Sequence, residues 1–170
     1  LKDTANLLKI RGQSMQEAVP HGEGSMAALI SSDFTKLDDL LKMVKKIGVC
    51  EIANHNSPEQ IVISGHTKAV QELVNKSAEF SIKRAVLLNV SAPFHCSLMK
   101  PASLVMADAL SSINFRKPET KFVSNVTADF EDDKEKINRL LVEQIFSKVR
   151  WRESILKASS LEARKIVEIG

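Results

Sequence analysis

Three side chains in this 170-residue sequence stand where they could do chemistry: His95, Gln144 and Arg11. His95 ends the run Ser91-Ala92-Pro93-Phe94-His95, which reads as a loop between an almost wholly apolar strand and a helix. Scaffolds display functional side chains on such connections. A neutral imidazole there can serve as general base to a serine or a thiol. The plainer reading is a histidine that caps the next helix or is buried and satisfied. Cys96 follows directly, but neighbours on a loop seldom face each other, and catalytic partners meet through the fold. Gln144 falls on the inward stripe marked by Ile137, Leu140, Leu141 and Ile145. A buried amide that finds no hydrogen bond costs about 1–3 kcal/mol, and bridging backbone groups is its commoner fate. Gln144 also lies near a helix end, where unpaired carbonyls can accept a bond from a nearby group. Arg11 suits a carboxylate, which a guanidinium grips through two parallel N–H···O bonds, although most arginines are solvated. His21, His55 and His66 have no metal-ligand spacing with each other or with the cysteines, and read as surface or turn residues. The sequence holds no GxGxxG, Walker-type loop or GxSxG.

The elements that must position these residues follow from periodicity. Residues 26–30 form an apolar run of strand length, and Phe34, Leu37, Leu40, Leu41, Val44 and Ile47 then repeat at helical spacing up to Gly48. Residues 49–53 and 60–64 read as strands around a turn at 54–59, residues 67–78 as a helix, and residues 85–90 as a strand. The order strand, helix, strand, strand, helix, strand is the split βαβ or ferredoxin-like arrangement. A different rhythm follows. A helix opens near Cys96 or Ser97 with Pro101 in its early turns, where proline is tolerated, and its stripe is Leu98, Ala102, Val105, Met106, Ala109 and Ile113. Residues 121–127 read as a strand, 134–147 as a helix, a further helix starts near Arg152, and 165–169 read as a last strand. That alternation is expected of a mostly parallel α/β sheet. Two strands cannot close such a core, so upstream sequence must supply the rest.

Composition bounds the function classes. Hydrophobic residues make up 44% and charged residues 26%, the balance of a soluble globular protein. No apolar run approaches the length of about 20 residues that crosses a bilayer, and no signal peptide is visible. Two cysteines without a CxxC pair fit a reducing, cytoplasmic setting. With one tryptophan and no tyrosine there is no set of stacking platforms for single-stranded nucleic acid.

Taken in order, the segments resemble one family. RGQSMQEAVP at 11–20 with GSMAALI at 24–30 is similar to the stretch after the nucleophile elbow of malonyl-CoA:acyl carrier protein transacylases. CEIANHNSPEQIVISG at 50–65 resembles that family's small subdomain, and SAPFHCSLMKPA at 91–102 its histidine loop. FVSNVTA at 122–128, VEQIFSKVRW at 142–151 and VEIG at 167–170 continue the match. The resemblance implies an α/β-hydrolase-like core, incomplete here, formed by residues 1–20 and 91–170. A small ferredoxin-like (βαββαβ) subdomain is inserted at residues 21–90. It implies transfer of a malonyl group from malonyl-CoA to the phosphopantetheine thiol of acyl carrier protein, for fatty-acid synthesis, through a malonyl-serine ester.

By the same resemblance His95 matches the catalytic histidine, Arg11 the arginine that binds the malonyl carboxylate, and Gln144 the glutamine whose backbone carbonyl orients the histidine ring. Phe94 stands where such enzymes often carry serine, and its bulk disfavours an α-methyl substituent. Asn54 and Asn56 line the cleft between subdomains. No metal or cofactor is expected beyond coenzyme A thioester as substrate. The partners are malonyl-CoA and acyl carrier protein, with no nucleic acid or membrane, and the complete enzyme is expected to be a monomer. The GxSxG serine and the oxyanion-hole donors are expected just upstream of Leu1, and a short GPG-containing tail after Gly170. These residues alone are therefore expected to be inactive. The competing readings are an acyltransferase domain of a polyketide or multifunctional synthase, and a non-catalytic ferredoxin-like binding module.

Overall fold

The computed structural model describes residues 1–161 and 165–167. It opens with α1 (Lys2–Glu17), whose buried residues are Ser14 and Met15. Then come β1 (Gly24–Ile30), α2 (Leu37–Val44), β2 (Cys50–Ser57), β3 (Gln60–His66), α3 (Thr67–Lys76) and β4 (Arg84–Leu87). The four strands form an antiparallel sheet in the order β2-β3-β1-β4.

Alternation along these strands gives the sheet two different faces. On one face Ala27, Leu29, Cys50, Ile61 and Ile63 pack against Leu37, Leu40 and Val44 of α2 and Ala69, Val70 and Leu73 of α3. The helical spacing of those apolar residues is what turns α2 and α3 onto the sheet. Leu29, Leu40, Ile63 and Leu73 are fully buried, each worth about 1.5–3 kcal/mol. Gly65 lets β2 approach, since a Cβ there would lie 2.0 Å from the Val49 carbonyl oxygen. On the other face Met26, Ala28, Ala53 and Val62 form a smaller cluster with Leu88 and Phe94.

The second half is helical. A 3-10 turn (Ser97–Met99) leads into α4 (Lys100–Ser111), followed by a two-residue antiparallel pair β5 (Phe122–Val123) and β6 (Phe130–Glu131), then α5 (Lys134–Glu143) and α6 (Trp151–Ser159). α1, α4 and the end of α5 share a core of Met15, Met99, Ala102, Met106, Leu110 and Ile145. No helix among the described residues is long and apolar enough to cross a membrane.

Several expectations are corrected. The 54–59 turn shrinks to Pro58-Glu59, because Asn54 to Ser57 continue β2 with two bulges. The 85–90 strand is regular only over Arg84–Leu87, with Leu88 N–H still donating to the Met26 carbonyl at 2.9 Å. In α4 Ala102, Ser103, Met106 and Leu110 are buried, as is Met99 just before it, and Val105 is 47% exposed, so the stripe is turned from the expected one. Residues 121–127 do not make a parallel strand. Ser124 turns the chain, its carbonyl accepting from Ala128 N–H at 2.8 Å, and Ala128 takes a φ of 54° to close a short hairpin. The 134–147 helix ends at Glu143. Residues 165–167 have no regular structure, and Glu168, Ile169 and Gly170 lie outside the described residues.

Candidate active site

The histidine loop is fixed from both sides. Ala92 and Pro93 are buried, and Pro93 packs against the first residue of β1, where a Cβ on Gly24 would come within 2.3 Å of the proline ring. Gln16 of α1 donates from Nε2 to the Ser91 carbonyl at 3.2 Å, tying the loop to the helix that carries Arg11. Phe94 touches both the α1–α4 core and the apolar cluster on the sheet face. His95 follows at a φ of 58°, a left-handed conformation uncommon outside glycine and held only where the surroundings over-determine it.

The ring of His95 is oriented by backbone. Its Nδ1–H donates to the Gln144 carbonyl oxygen at 3.0 Å, which leaves Nε2 unprotonated as the basic nitrogen. Gln144 is the C-cap of α5, so its carbonyl is among those a helix leaves without an internal partner. Burial, the largest influence, lowers the His95 pKa below its ordinary 6.5; the Gln144 and Ser147 backbone pulls upward, and the Arg11 charge pushes down again.

Arg11 lies four residues before Met15 on α1, which places both on one helix face. Burial lowers its pKa from 12.5, yet a guanidinium stays charged at neutral pH. Among the described residues Arg11 forms no ion pair. Within those residues it is a half-buried cation without a counter-ion.

Asn54 and Asn56 reach the same place through the first bulge of β2. Cys50 and Ile52 face the α2–α3 core, and unbroken alternation would send Asn54 there too. The register instead shifts between Ile52, paired with Ile63, and Asn54, paired with Val62. The extra residue turns Asn54 to the opposite face, the recurrent use of a bulge beside a site. Asn56 Nδ2 donates to Gln60 Oε1 at 3.3 Å.

One cavity of about 470 Å³ is lined by Arg11, Asn54, Asn56, Phe94 and His95, so five of the six expected site residues share it. Gln144 does not line it; with Arg11 it borders a neighbouring apolar recess of about 290 Å³ and meets His95 through its backbone. The apolar wall, Met15, Met26, Val62, Leu88 and Val90, was not singled out from sequence. Its signals were available in the i, i+4 spacing from Arg11 to Met15 and in the alternation of β1 and β3.

A thiol base pair is disfavoured. Cys96 is fully buried and its Sγ donates to the Pro93 carbonyl at 3.1 Å. Burial pushes its pKa up, and pushes Cys50 up to about 12. Thiols in apolar surroundings are inert. The described residues contain no group of three or more His, Cys, Asp or Glu able to hold a metal ion. The arrangement is a backbone-oriented neutral base and an unpaired cation on one apolar cavity, suited to proton transfer on a ligand carrying a carboxylate.

The sequence matches the profile of the acyl transferase domain over residues 1–170. A malonyl CoA-acyl carrier protein transacylase of Bacillus subtilis is 39% identical over 170 residues, 99% of this chain and 54% of the relative. Among solved structures, an acyl-carrier-protein-S-malonyltransferase from Bartonella henselae is 49% identical with a TM-score of 0.88, covering 93% of this chain and 50% of that one. An acyl carrier protein S-malonyltransferase from Vibrio cholerae is 37% identical with a TM-score of 0.92, covering 97% and 54%. The chain thus spans about half the length of the curated relatives it matches.

Proposed function

The chain belongs to the acyl transferase domain family, and from that premise we propose that it is the base-bearing and carboxylate-binding part of a malonyl-CoA:acyl carrier protein transacylase. The observation that carries this reading is the unpaired Arg11 sharing one cavity with His95. Most acyl groups offer a cation nothing. A malonyl group offers a terminal carboxylate a few bonds from its thioester, so one ligand can satisfy Arg11 and present its carbonyl near the base.

In this reading the nucleophile is a serine in the half of the family's chain that these residues do not span. His95 Nε2 takes the serine proton as the hydroxyl attacks the thioester carbonyl, and the imidazolium then protonates the departing coenzyme A thiol. The malonyl-serine ester remains. In the second half His95 takes the proton of the carrier protein's phosphopantetheine thiol, the thiolate attacks the ester, and the proton returns to the serine oxygen. Gln144 supplies a neutral carbonyl where a triad has aspartate. It fixes the tautomer but stabilises the imidazolium less, which suffices because a thiolate is a far better leaving group than an amine.

Phe94 and the apolar wall serve the acyl chain, and Asn54 and Asn56 serve the polar arm that follows it. The four-stranded unit, residues 21–90, is a ferredoxin-like subdomain inserted into an α/β-hydrolase-like large domain that residues 1–20 and 91–170 enter. Supporting that division are the βαββαβ connectivity, the sheet order, and the separate cores of the sheet and of α1 with α4.

The test is malonyl transfer to acyl carrier protein by the full-length enzyme carrying these residues, with Arg11→Ala and His95→Ala beside it. His95→Ala should reduce transfer from every acyl donor to a small residual rate, lower by roughly 1000-fold or more. Arg11→Ala should lower kcat/KM for malonyl-CoA by roughly 100-fold or more and improve acetyl-CoA relative to it, because a desolvated carboxylate would be left unpaired. If malonyl preference survives Arg11→Ala, the role of Arg11 is wrong. If both variants transfer normally, the unit is a binding module.

A further inference from the structure

We propose that Glu51 is a positioning residue for His95, acting by clamping the start of the helical run that follows the histidine loop; this rests on the reading of His95 as the catalytic base. Glu51 stands on β2 opposite Ser64 of β3, on the sheet face that both share with Met26 of β1. Its two carboxylate oxygens are both engaged by one residue. Ser97 N–H donates to Oε2 at 2.7 Å and Ser97 Oγ–H donates to Oε1 at 2.8 Å. Ser97 is the second residue after His95 and the first of the 3-10 turn that leads into α4.

The clamp matters because of what lies next to it. His95 holds a left-handed φ of 58°, which a non-glycine residue leaves unless its neighbours are fixed. Upstream, Pro93 is held against Gly24. Downstream, the backbone is held by Glu51, through charge-assisted hydrogen bonds that also satisfy a free N–H at a helical start. The contact bridges 46 residues of sequence. It joins the strand that brings Asn54 and Asn56 to the cavity with the loop that brings His95. Without it the loop can relax toward ordinary backbone angles, and the ring then leaves the Gln144 carbonyl for part of the time. Arg11, on α1, is untouched by this change.

The experiment compares Glu51→Ala, Glu51→Gln and Ser97→Ala in the full-length enzyme, with and without His95→Ala, reading kcat and KM for malonyl-CoA together with the His95 ring resonances by NMR. Glu51→Ala should lower kcat roughly tenfold with KM for malonyl-CoA within about twofold, and should shift the ring resonances. Glu51→Gln, which keeps an acceptor, should restore part of the loss, and Ser97→Ala should fall between. On the His95→Ala background Glu51→Ala should cost nothing further. The inference is overturned if Glu51→Ala leaves kcat and the ring resonances unchanged, or if it costs the same without His95. Should Glu51→Ala not fold, Glu51→Gln and Ser97→Ala carry the same comparison. If the unsubstituted enzyme fails to transfer malonyl, it is the functional reading that falls, and the ring resonances still decide whether Glu51 holds the loop.

Discussion

His95 Nδ1 donates to the backbone carbonyl of Gln144 at 3.0 Å across 49 residues of sequence. The acceptor belongs to the helix end, not to the amide side chain. Replacing the side chain leaves the carbonyl in place as long as α5 keeps its C-terminal turn. Gln144→Ala in the full-length enzyme should therefore lower kcat by less than about fivefold. A loss of the order of 100-fold, with the protein folded, would mean that the amide itself takes part.

With His95 as the proposed base, the same histidine sets a pH dependence. Burial and the Arg11 charge hold its pKa below 6.5, so the ring stays neutral, and able to accept a proton, to a lower pH than a free histidine. The acid limb of kcat/KM should lie below pH 6.5, where the free enzyme titrates. A carboxylate bound to Arg11 offsets the cation, so the acid limb of kcat, which reports the bound enzyme, should lie higher than that of kcat/KM. Stability follows the same sign. As pH falls below the ordinary histidine value the unfolded chain gains the proton first, so this contribution is present at higher pH and is lost as pH falls through the lowered folded pKa. Rate profiles for wild type and an NMR titration of the ring in Arg11→Ala check the account. The variant's ring pKa should rise, and a fall would contradict it.

Much of this could be read from residue order alone, and the exceptions share a cause. The period of Leu37, Leu40 and Val44 places α2 because a helix face facing a sheet must be apolar at that spacing. Gln144 near the end of an amphipathic run already suggested a free carbonyl. Asn54 to Ser57 read as a turn, since Asn, His and Ser are poor strand formers. They are strand because Ile61, Val62 and the Val149 backbone offer them partners: His55 N–H donates to the Val149 carbonyl at 2.9 Å, and Val149 N–H to the Ala53 carbonyl at 2.8 Å. The Glu51–Ser97 clamp left no local trace for a similar reason. A surface glutamate is ordinary in sequence, and its partner is fixed only once β2 and the histidine loop meet.

The cysteines supply a direct test of the serine chemistry. Both are buried, with thiol pKa values raised, Cys50 to about 12. At pH 8 neither should react appreciably with iodoacetamide in the folded protein, and both should react on unfolding. Cys96→Ser retains a donor for the Pro93 carbonyl and should keep malonyl transfer within about threefold of wild type. Rapid native alkylation of Cys96 together with loss of activity would revive a Cys–His mechanism.

Gly24 makes the most demanding prediction, because nothing about its own backbone requires glycine. Its requirement comes from outside: an added Cβ would meet Pro93 Cδ at 2.3 Å and Cγ at 2.4 Å. Pro93 is buried and its ring is rigid, so it cannot swing aside as a long side chain would. Either β1 or the histidine loop must move, and β1 is paired to β3 at Gly24 itself and to β4 from Ala27 onward. The loop is the softer of the two. Gly24→Ala should cost about 1–3 kcal/mol of stability, as overpacking does, and should reduce kcat by more than that loss explains at a temperature where the protein stays folded. KM for malonyl-CoA should change less than kcat, because Arg11 sits on α1. Thermal denaturation with steady-state kinetics on the same samples separates the two effects. If Gly24→Ala lowered stability while kcat of the folded fraction matched wild type, Pro93 would not be transmitting position to His95.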